Sequence, residues 1–175
     1  MAMSDPGFEV RPAEPGDMEA IGKMAADLVR GHHALDPTRF FAFPEPIEPG
    51  YQRFLTGESK DPKAIVLCAV DGAGSGGTDP QPAVLGYAYG RLRERDLFAM
   101  LDGCGYLHDV YVAEAARRRG VATALVRRLC TELSARGAPR IILHAAALNH
   151  PSRAFFASLG FRETMVEMML EGGRL

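Results

Sequence analysis

Residues 106–146 carry the pattern that most narrows what this chain can fold into. Tyr106-Leu-His-Asp-Val-Tyr-Val112 is a β-rich run, and Arg140-Ile-Ile-Leu-His-Ala-Ala146 is a second one. Between them Val121, Ala122, Leu125, Leu129 and Leu133 recur at helical spacing, and Gly137 closes that helix. Strand, helix and strand in that order require a right-handed crossover between parallel strands. The upstream half reads differently. Ala64–Val70 and Ala83–Arg91 are two strands joined by the Gly-, Ser- and Pro-rich stretch Asp71–Pro82, the signature of an antiparallel hairpin. Phe8-Glu-Val-Arg11 alternates as a half-buried strand. Asp17 stands where it can N-cap an amphipathic helix through Met18, Ile21, Met24, Ala25 and Leu28, which Gly31 ends. A short helix over Tyr51–Leu55, another over Pro151–Leu159 and one or two strands within Phe161–Leu170 complete a mixed α/β chain. No linker interrupts it, and 175 residues suit one domain spanning 1–175.

Composition excludes several classes. An apolar fraction of 47% with 24% charged residues is that of a globular protein, not of a disordered or fibrous one. A net charge of −2 supplies no field for nucleic acid or anionic membrane. No apolar run approaches the roughly 20 residues of a membrane span, and Met1–Glu9 lacks the features of a secretion signal. Cys68, Cys104 and Cys130 are too far apart in sequence for a metal framework or a dense disulfide pattern, so a reducing cytoplasm is expected. The Gly72–Gly77 stretch lacks a phosphate-binding lysine and leads into a strand, so it reads as a connector.

The segment Val110–Ala122 ends a strand, passes through Arg117, Arg118, Arg119 and Gly120, and opens a long helix. Unpaired N–H groups at a helix start, a glycine that permits close approach and neighbouring guanidiniums together suit a pyrophosphate. A solvated charge run capping an ordinary helix is the other reading of the same residues.

Arg117-x-x-Gly120-x-Ala122 resembles the Gln/Arg-x-x-Gly-x-Gly/Ala motif of the GCN5-related N-acetyltransferases (GNAT). Leu143-His-Ala-Ala-Ala-Leu-Asn149 followed by Ala154-Phe-Phe-Ala-Ser-Leu-Gly160-Phe161 resembles that family's second motif, and Asn149-His-Pro-Ser152 is similar to its polyamine and diamine branch. The likeness spans most of the chain, with its specific part in residues 106–161. It implies a single-domain GNAT-like α/β fold: a central mixed, mostly antiparallel sheet with one splayed parallel strand pair, flanked by about four helices. It implies an acyl-CoA-binding core over about 104–161, with residues 8–56 on the acceptor side. Acetyl-CoA is then the co-substrate, with no metal. The backbone of Val110, Tyr111 and Val112 would hold the pantetheine arm as an added strand. The N–H groups of Arg119, Gly120, Val121, Ala122 and Thr123 would hold the pyrophosphate, with Arg117 and Arg118 assisting. Asn149, Ser152, Phe155 and Phe156 would line the far wall. The Tyr111 side chain reads as core.

Acyl transfer to an amine needs a neutral amine, a polarised carbonyl, a base and a leaving thiolate. The family often carries an acid on the strand entering the site; here His108 or Asp109 is the candidate base. Strand alternation sends the two to opposite faces, so one at most points into the cleft. His144 is a weaker candidate. The departure from the family is Phe156, where many members have a tyrosine that protonates the leaving thiolate. A thiol of pKa about 8.5 tolerates leaving unaided. Ser152, one turn earlier, is the substitute if one is needed. A chain that binds acyl-CoA without turnover is the third reading.

On the acceptor side, the adjacent His32 and His33 read as a solvent-facing helix end, not a metal site. Asp36, Glu45 and Glu48 either attract a cationic amine or are ordinary surface charges. Phe40, Phe41 and Phe43 read as a lid, a packed loop or a homodimer contact. The expected activity is transfer of acetyl from acetyl-CoA to a primary amine of a small molecule by direct attack. Acetylation of a protein N-terminus or lysine, and a non-catalytic acyl-CoA sensor, are the alternatives. The sequence leaves open the amine, the acyl length, the base and the oligomeric state.

Overall fold

The computed structural model describes residues 7–72 and 82–172. The chain divides into two compact units, Met1–His144 and Ala145–Leu175. The first holds β1 (Phe8–Pro12), α1 (Met18–Leu35), α2 (Glu48–Glu58), β2 (Ala64–Asp71), β3 (Val84–Arg93), β4 (Cys104–Val112), α3 (Val121–Ala135) and β5 (Ile141–Leu143). The second holds α4 (His150–Ser158).

The five strands form one sheet in the order β1-β2-β3-β4-β5. The first four are antiparallel to their neighbours, and β4 and β5 are parallel, joined by α3. β2 and β3 are nearly continuous apolar runs because helices cover both of their faces. On one face α1 and α2 set Met18, Ile21, Ala25 and Leu55 against Val66, Cys68, Tyr87 and Tyr89. On the other, α3 buries Leu125, Leu129 and Leu133. Each such leucine contributes about 1.5–3 kcal/mol over leaving it in water.

The parallel pair is brief. Its register runs from Gly105↔Ile141 to Leu107↔Leu143 and stops, while β4 continues to Val112. Among the described residues no strand pairs with 108–112 on that side. This is the splay that the resemblance implies, and it leaves a stretch of β4 backbone with one edge open.

Several expectations are corrected. α1 does not end at Gly31 but runs to Leu35. Gly31 lies within the helix at an open position where a Cβ would meet nothing within 4 Å, and the helix stops where Asp36 precedes Pro37, a residue pair that disfavours helix. Asp17 does not cap α1 with its side chain. The carboxylate is buried instead: it accepts from Arg11 at 2.6 and 3.1 Å, from the Glu14 N–H at 2.8 Å and from the Cys68 thiol at 3.4 Å. β5 stops at Leu143, short of Ala146. Residues 161–170 form no strand; Met165, Val166 and Met168 are exposed there, with no sheet partner to reward the extended form. The Gly72–Gly77 connector lies outside the described residues beyond Gly72.

Close strand approach depends on Gly86. A Cβ there would lie 2.6 Å from the Tyr111 carbonyl oxygen and 3.2 Å from Val112 Cα, both backbone atoms of the neighbouring strand. Gly86→Ala is expected to destabilise the protein by about 1–3 kcal/mol, read as a lower urea midpoint. Gly57→Ala, where a Cβ meets nothing within 4 Å, is the control expected to leave the midpoint unchanged or raise it.

Candidate active site

The residue His108 interrupts the alternation of β4. Register passes from Tyr89↔Asp109 to Gly90↔Leu107, so His108 is an extra residue with no opposite number on β3. A β-bulge of this kind re-aims side chains. The His108 ring stacks on Tyr89 at 5.0 Å between centroids, and the Asp109 carboxylate accepts from the Tyr87 hydroxyl at 3.2 Å. Tyr87 and Tyr89 are two apart on one strand and project to the same face. His108 and Asp109 therefore share the α1/α2 side of the sheet, and the expectation of opposite faces is overturned by the bulge.

Their environments push their proton affinities apart. Burial lifts the Asp109 carboxyl to about 6, against the opposing pull of the Tyr87 hydrogen bond and the His32 charge. Burial also drives His108 down to about 4, helped by Arg93, Arg91 and His144. At neutral pH Asp109 is ionised and close to its titration point, whereas His108 is neutral. The His108 Nε2 atom is buried and has no hydrogen-bond partner.

Tyrosines surround the carboxylate. Tyr111 pairs with Tyr87 across the strands and packs against the α1/α2 core, which fits the structural reading of its side chain. Tyr51 on α2 is raised above its ordinary value by burial and by the charge of Asp109. Further along, Glu58 accepts from the Tyr89 hydroxyl and pairs with Arg91 at 2.9 Å, while Arg91 reaches Asp61 at 3.0 Å. Arg93 lies over the Tyr106 ring at 3.9 Å, and the Tyr106 hydroxyl meets His144 Nδ1 at 2.7 Å, so His144 is occupied locally. Tyr87, Tyr51 and Glu58 were not legible as site residues; alternation marks Tyr87 and Tyr89 as one face, but only register shows which residues of β4 they meet.

At the other end of β4 the chain turns through Glu114–Ala116 into α3. Gly120 caps α3 with φ +85°, a left-handed backbone that glycine adopts without strain. The N–H groups of Val121, Ala122 and Thr123 are the first of the helix and have no intrahelical partner. The three arginines behave differently. Arg117 Nε donates back to the Val112 carbonyl at 3.3 Å. Arg119 donates to the Gly7 carbonyl at 3.3 Å and lies 3.7 Å from Asp71. Arg118, with φ +65°, makes no side-chain hydrogen bond or ion pair among the described residues.

In the second unit, Asn149 Oδ1 accepts from the Ser152 N–H at 3.1 Å and so caps α4. Phe156 is buried and packs edge-on against Phe161 at 5.5 Å, next to Phe155. Gly160 follows the helix with φ +94°.

The remaining candidates are engaged elsewhere. His32 and His33 do not face solvent as a free helix end: their Nδ1 atoms meet the carbonyls of Leu28 at 2.9 Å and Phe40 at 2.7 Å. Glu45 and Glu48 pair with Arg30, and Asp36 holds Thr38. No group of three or more metal-ligating side chains occurs among the described residues, and none of their helices is long and apolar enough to cross a membrane.

Comparison with known proteins adds the following. A family model described as acetyltransferase (GNAT) family matches residues 32–161. No curated protein matches the chain. Among solved structures, a mutant protein from Bacillus halodurans is similar at 20% identity and TM-score 0.73, over 93% of this chain and 98% of its own. An aminoglycoside N-acetyltransferase in complex with CoA is similar at 16% identity and TM-score 0.71, over 95% of each chain. A glucosamine-6-phosphate N-acetyltransferase from Arabidopsis thaliana is similar at 12% identity and TM-score 0.65, over 94% of this chain and 98% of its own. At these identities the likeness establishes the fold.

Proposed function

Because the chain belongs to the acetyltransferase (GNAT) family, and so transfers an acetyl group from acetyl-CoA to an amine, we propose that its acceptor is the primary amine of a small molecule, attacked directly with Asp109 as base. The observation that carries this reading is a carboxylate raised to about 6, steadied by Tyr87, on the strand whose pairing has just opened.

The residues present fit acetyl-CoA. The β4 backbone past Leu107 offers hydrogen-bonding groups that β5 does not use. The start of α3, with left-handed Gly120, offers N–H groups and the positive dipole end to a pyrophosphate. Arg118 is the guanidinium left over for the phosphates, since Arg117 and Arg119 already hold backbone carbonyls. The thioester supplies an activated carbonyl, whose carbon–sulfur bond breaks as the CoA thiolate leaves. Asp109 receives the proton that the amine loses as its nitrogen bonds to carbon, and the Tyr87 hydroxyl stabilises the carboxylate beforehand.

Direct attack, without a cysteinyl intermediate, is supported by the three thiols. Burial raises all three, Cys68 to about 12, so none supplies a thiolate near neutrality. The thiols are free, which suits a reducing compartment.

The test is CoA-thiol release followed against pH with an amine whose own titration lies well above 8. Only ionised Asp109 accepts a proton, so kcat/KM is expected to climb as pH rises through about 6. The neutral fraction of such an amine rises with pH throughout this range, so the climb is expected to be steeper below about 6 and shallower above it. Absence of the lower limb, or no thiol release with any small amine, would overturn the reading.

A further inference from the structure

We infer that the acceptor is an amine carried on an aromatic or similarly flat apolar body, received by a wall of stacked rings that leads from the surface to the reacting strand. This rests on the reading of Asp109 as the proton acceptor and adds the class of amine it serves.

The wall is continuous. Phe41 stacks on Phe43 at 4.6 Å, Phe43 meets Tyr51 at 6.2 Å, and Tyr51 meets Phe54 edge-on at 6.3 Å. Phe54 then meets Tyr89 edge-on at 5.6 Å, and Tyr89 stacks on His108 at 5.0 Å. These spacings are those at which rings attract one another. The elements involved are far apart in sequence, so the row is assembled by the fold and is not a by-product of one helix face.

The row joins the core at Tyr89, with Tyr51 packed against it, and opens outwards from there. Its outer members are open: Phe41, Phe43 and Phe54 are 69%, 39% and 47% exposed. Its inner end is polar: Tyr51 feels the charge of Asp109, His108 adjoins Asp109 in sequence, and Glu58 sits on the Tyr89 hydroxyl. An apolar face that ends beside the Asp109 carboxylate complements a molecule with a flat body and an amine head. Ring faces attract cations and other rings alike. A polyhydroxylated aminosugar would find few hydrogen-bonding partners along them.

The experiment compares phenethylamine with propylamine, spermidine and glucosamine. Binding in the presence of CoA is measured by calorimetry and turnover by thiol release. The wild-type protein is expected to favour phenethylamine over propylamine about tenfold or more in both readouts. Phe54→Ala and Phe43→Ala are expected to bring that ratio towards one, while Phe54→Leu, which keeps apolar bulk, retains part of it. Phe98→Ala, at the exposed β3–β4 hairpin tip, is the control expected to leave the ratio unchanged. Preferential binding without turnover would support the wall and overturn the catalytic reading. Equal binding of phenethylamine and propylamine, a preference for spermidine or glucosamine, or a ratio insensitive to Phe43 and Phe54 would overturn the wall even if turnover is robust.

Discussion

Asp109→Asn is expected to lower kcat/KM for amine acetylation by about 10²–10⁴-fold, the usual worth of a positioned base. The change is nearly isosteric, and an amide oxygen can still accept from the Tyr87 hydroxyl, whose bond to Asp109 is 3.2 Å. CoA affinity, measured by calorimetry, is expected to stay within about twofold, because the site proposed for the pyrophosphate is the start of α3 at Gly120. The steeper part of the rise below about pH 6 is expected to vanish in the variant, leaving the rise set by the amine alone. His108→Gln is the contrasting variant. His108 is held near 4, so its neutral ring is only a weak base at neutral pH and its removal is expected to cost less than about tenfold. If His108→Gln instead removes the limb and Asp109→Asn keeps it, the roles are exchanged.

The second large effect concerns stability. Asp17→Ala is expected to destabilise the protein by about 3–5 kcal/mol, because it leaves a partly buried Arg11 guanidinium without its partner. For a chain of this length that corresponds to a fall of about 10 °C in the thermal midpoint. The pH dependence follows from the sign of the shift. Burial on its own would raise the Asp17 carboxyl; the bonds from Arg11, the Glu14 N–H and the Cys68 thiol outweigh it and hold the group below its ordinary value. A depressed carboxyl contributes its full stabilisation above the unfolded value of about 3.9 and loses it as pH falls through the folded one. The difference in stability between wild type and variant is therefore expected to be constant at neutral pH and to shrink below about pH 4. Parallel denaturant titrations at several pH values measure it; a difference under about 1 kcal/mol at pH 7 would show that the pair contributes little.

The crossover unit was legible because Tyr106–Val112, Val121–Leu133 and Ile141–Leu143 each satisfy a different periodicity, and only one topology joins them. The helix that opens at Gly120 was legible for the same reason, and with it the candidate phosphate cradle. Alternation failed at His108 because a bulge is a property of two strands in register, and a single strand does not announce it. Asp17 looked like a cap because its type and place fit one; its burial against Arg11 and Cys68 depends on β1 and β2 lying side by side. Gly31 misled because a glycine ends a helix only when the backbone turns left-handed there, which Gly137 does with φ +95° and Gly31 does not. The ring contacts from Phe41 to Tyr89 join residues 41 and 89 through α2 and β3, a distance in sequence that no local pattern spans.

The early parting of β4 and β5 bears on association as well as catalysis. A strand with one free edge invites other strands to add to it, and proteins blunt such edges by shortness and by bulges that twist them away. The open part of β4 has both features: it begins at the His108 bulge and ends at Val112, where the Arg117 side chain already holds the last carbonyl. A thin, single-file ligand arm can follow this edge, while the bulge at one end and Arg117 at the other limit how far a neighbouring polypeptide could extend along it. The parting thus favours a short guest over a long strand at that edge.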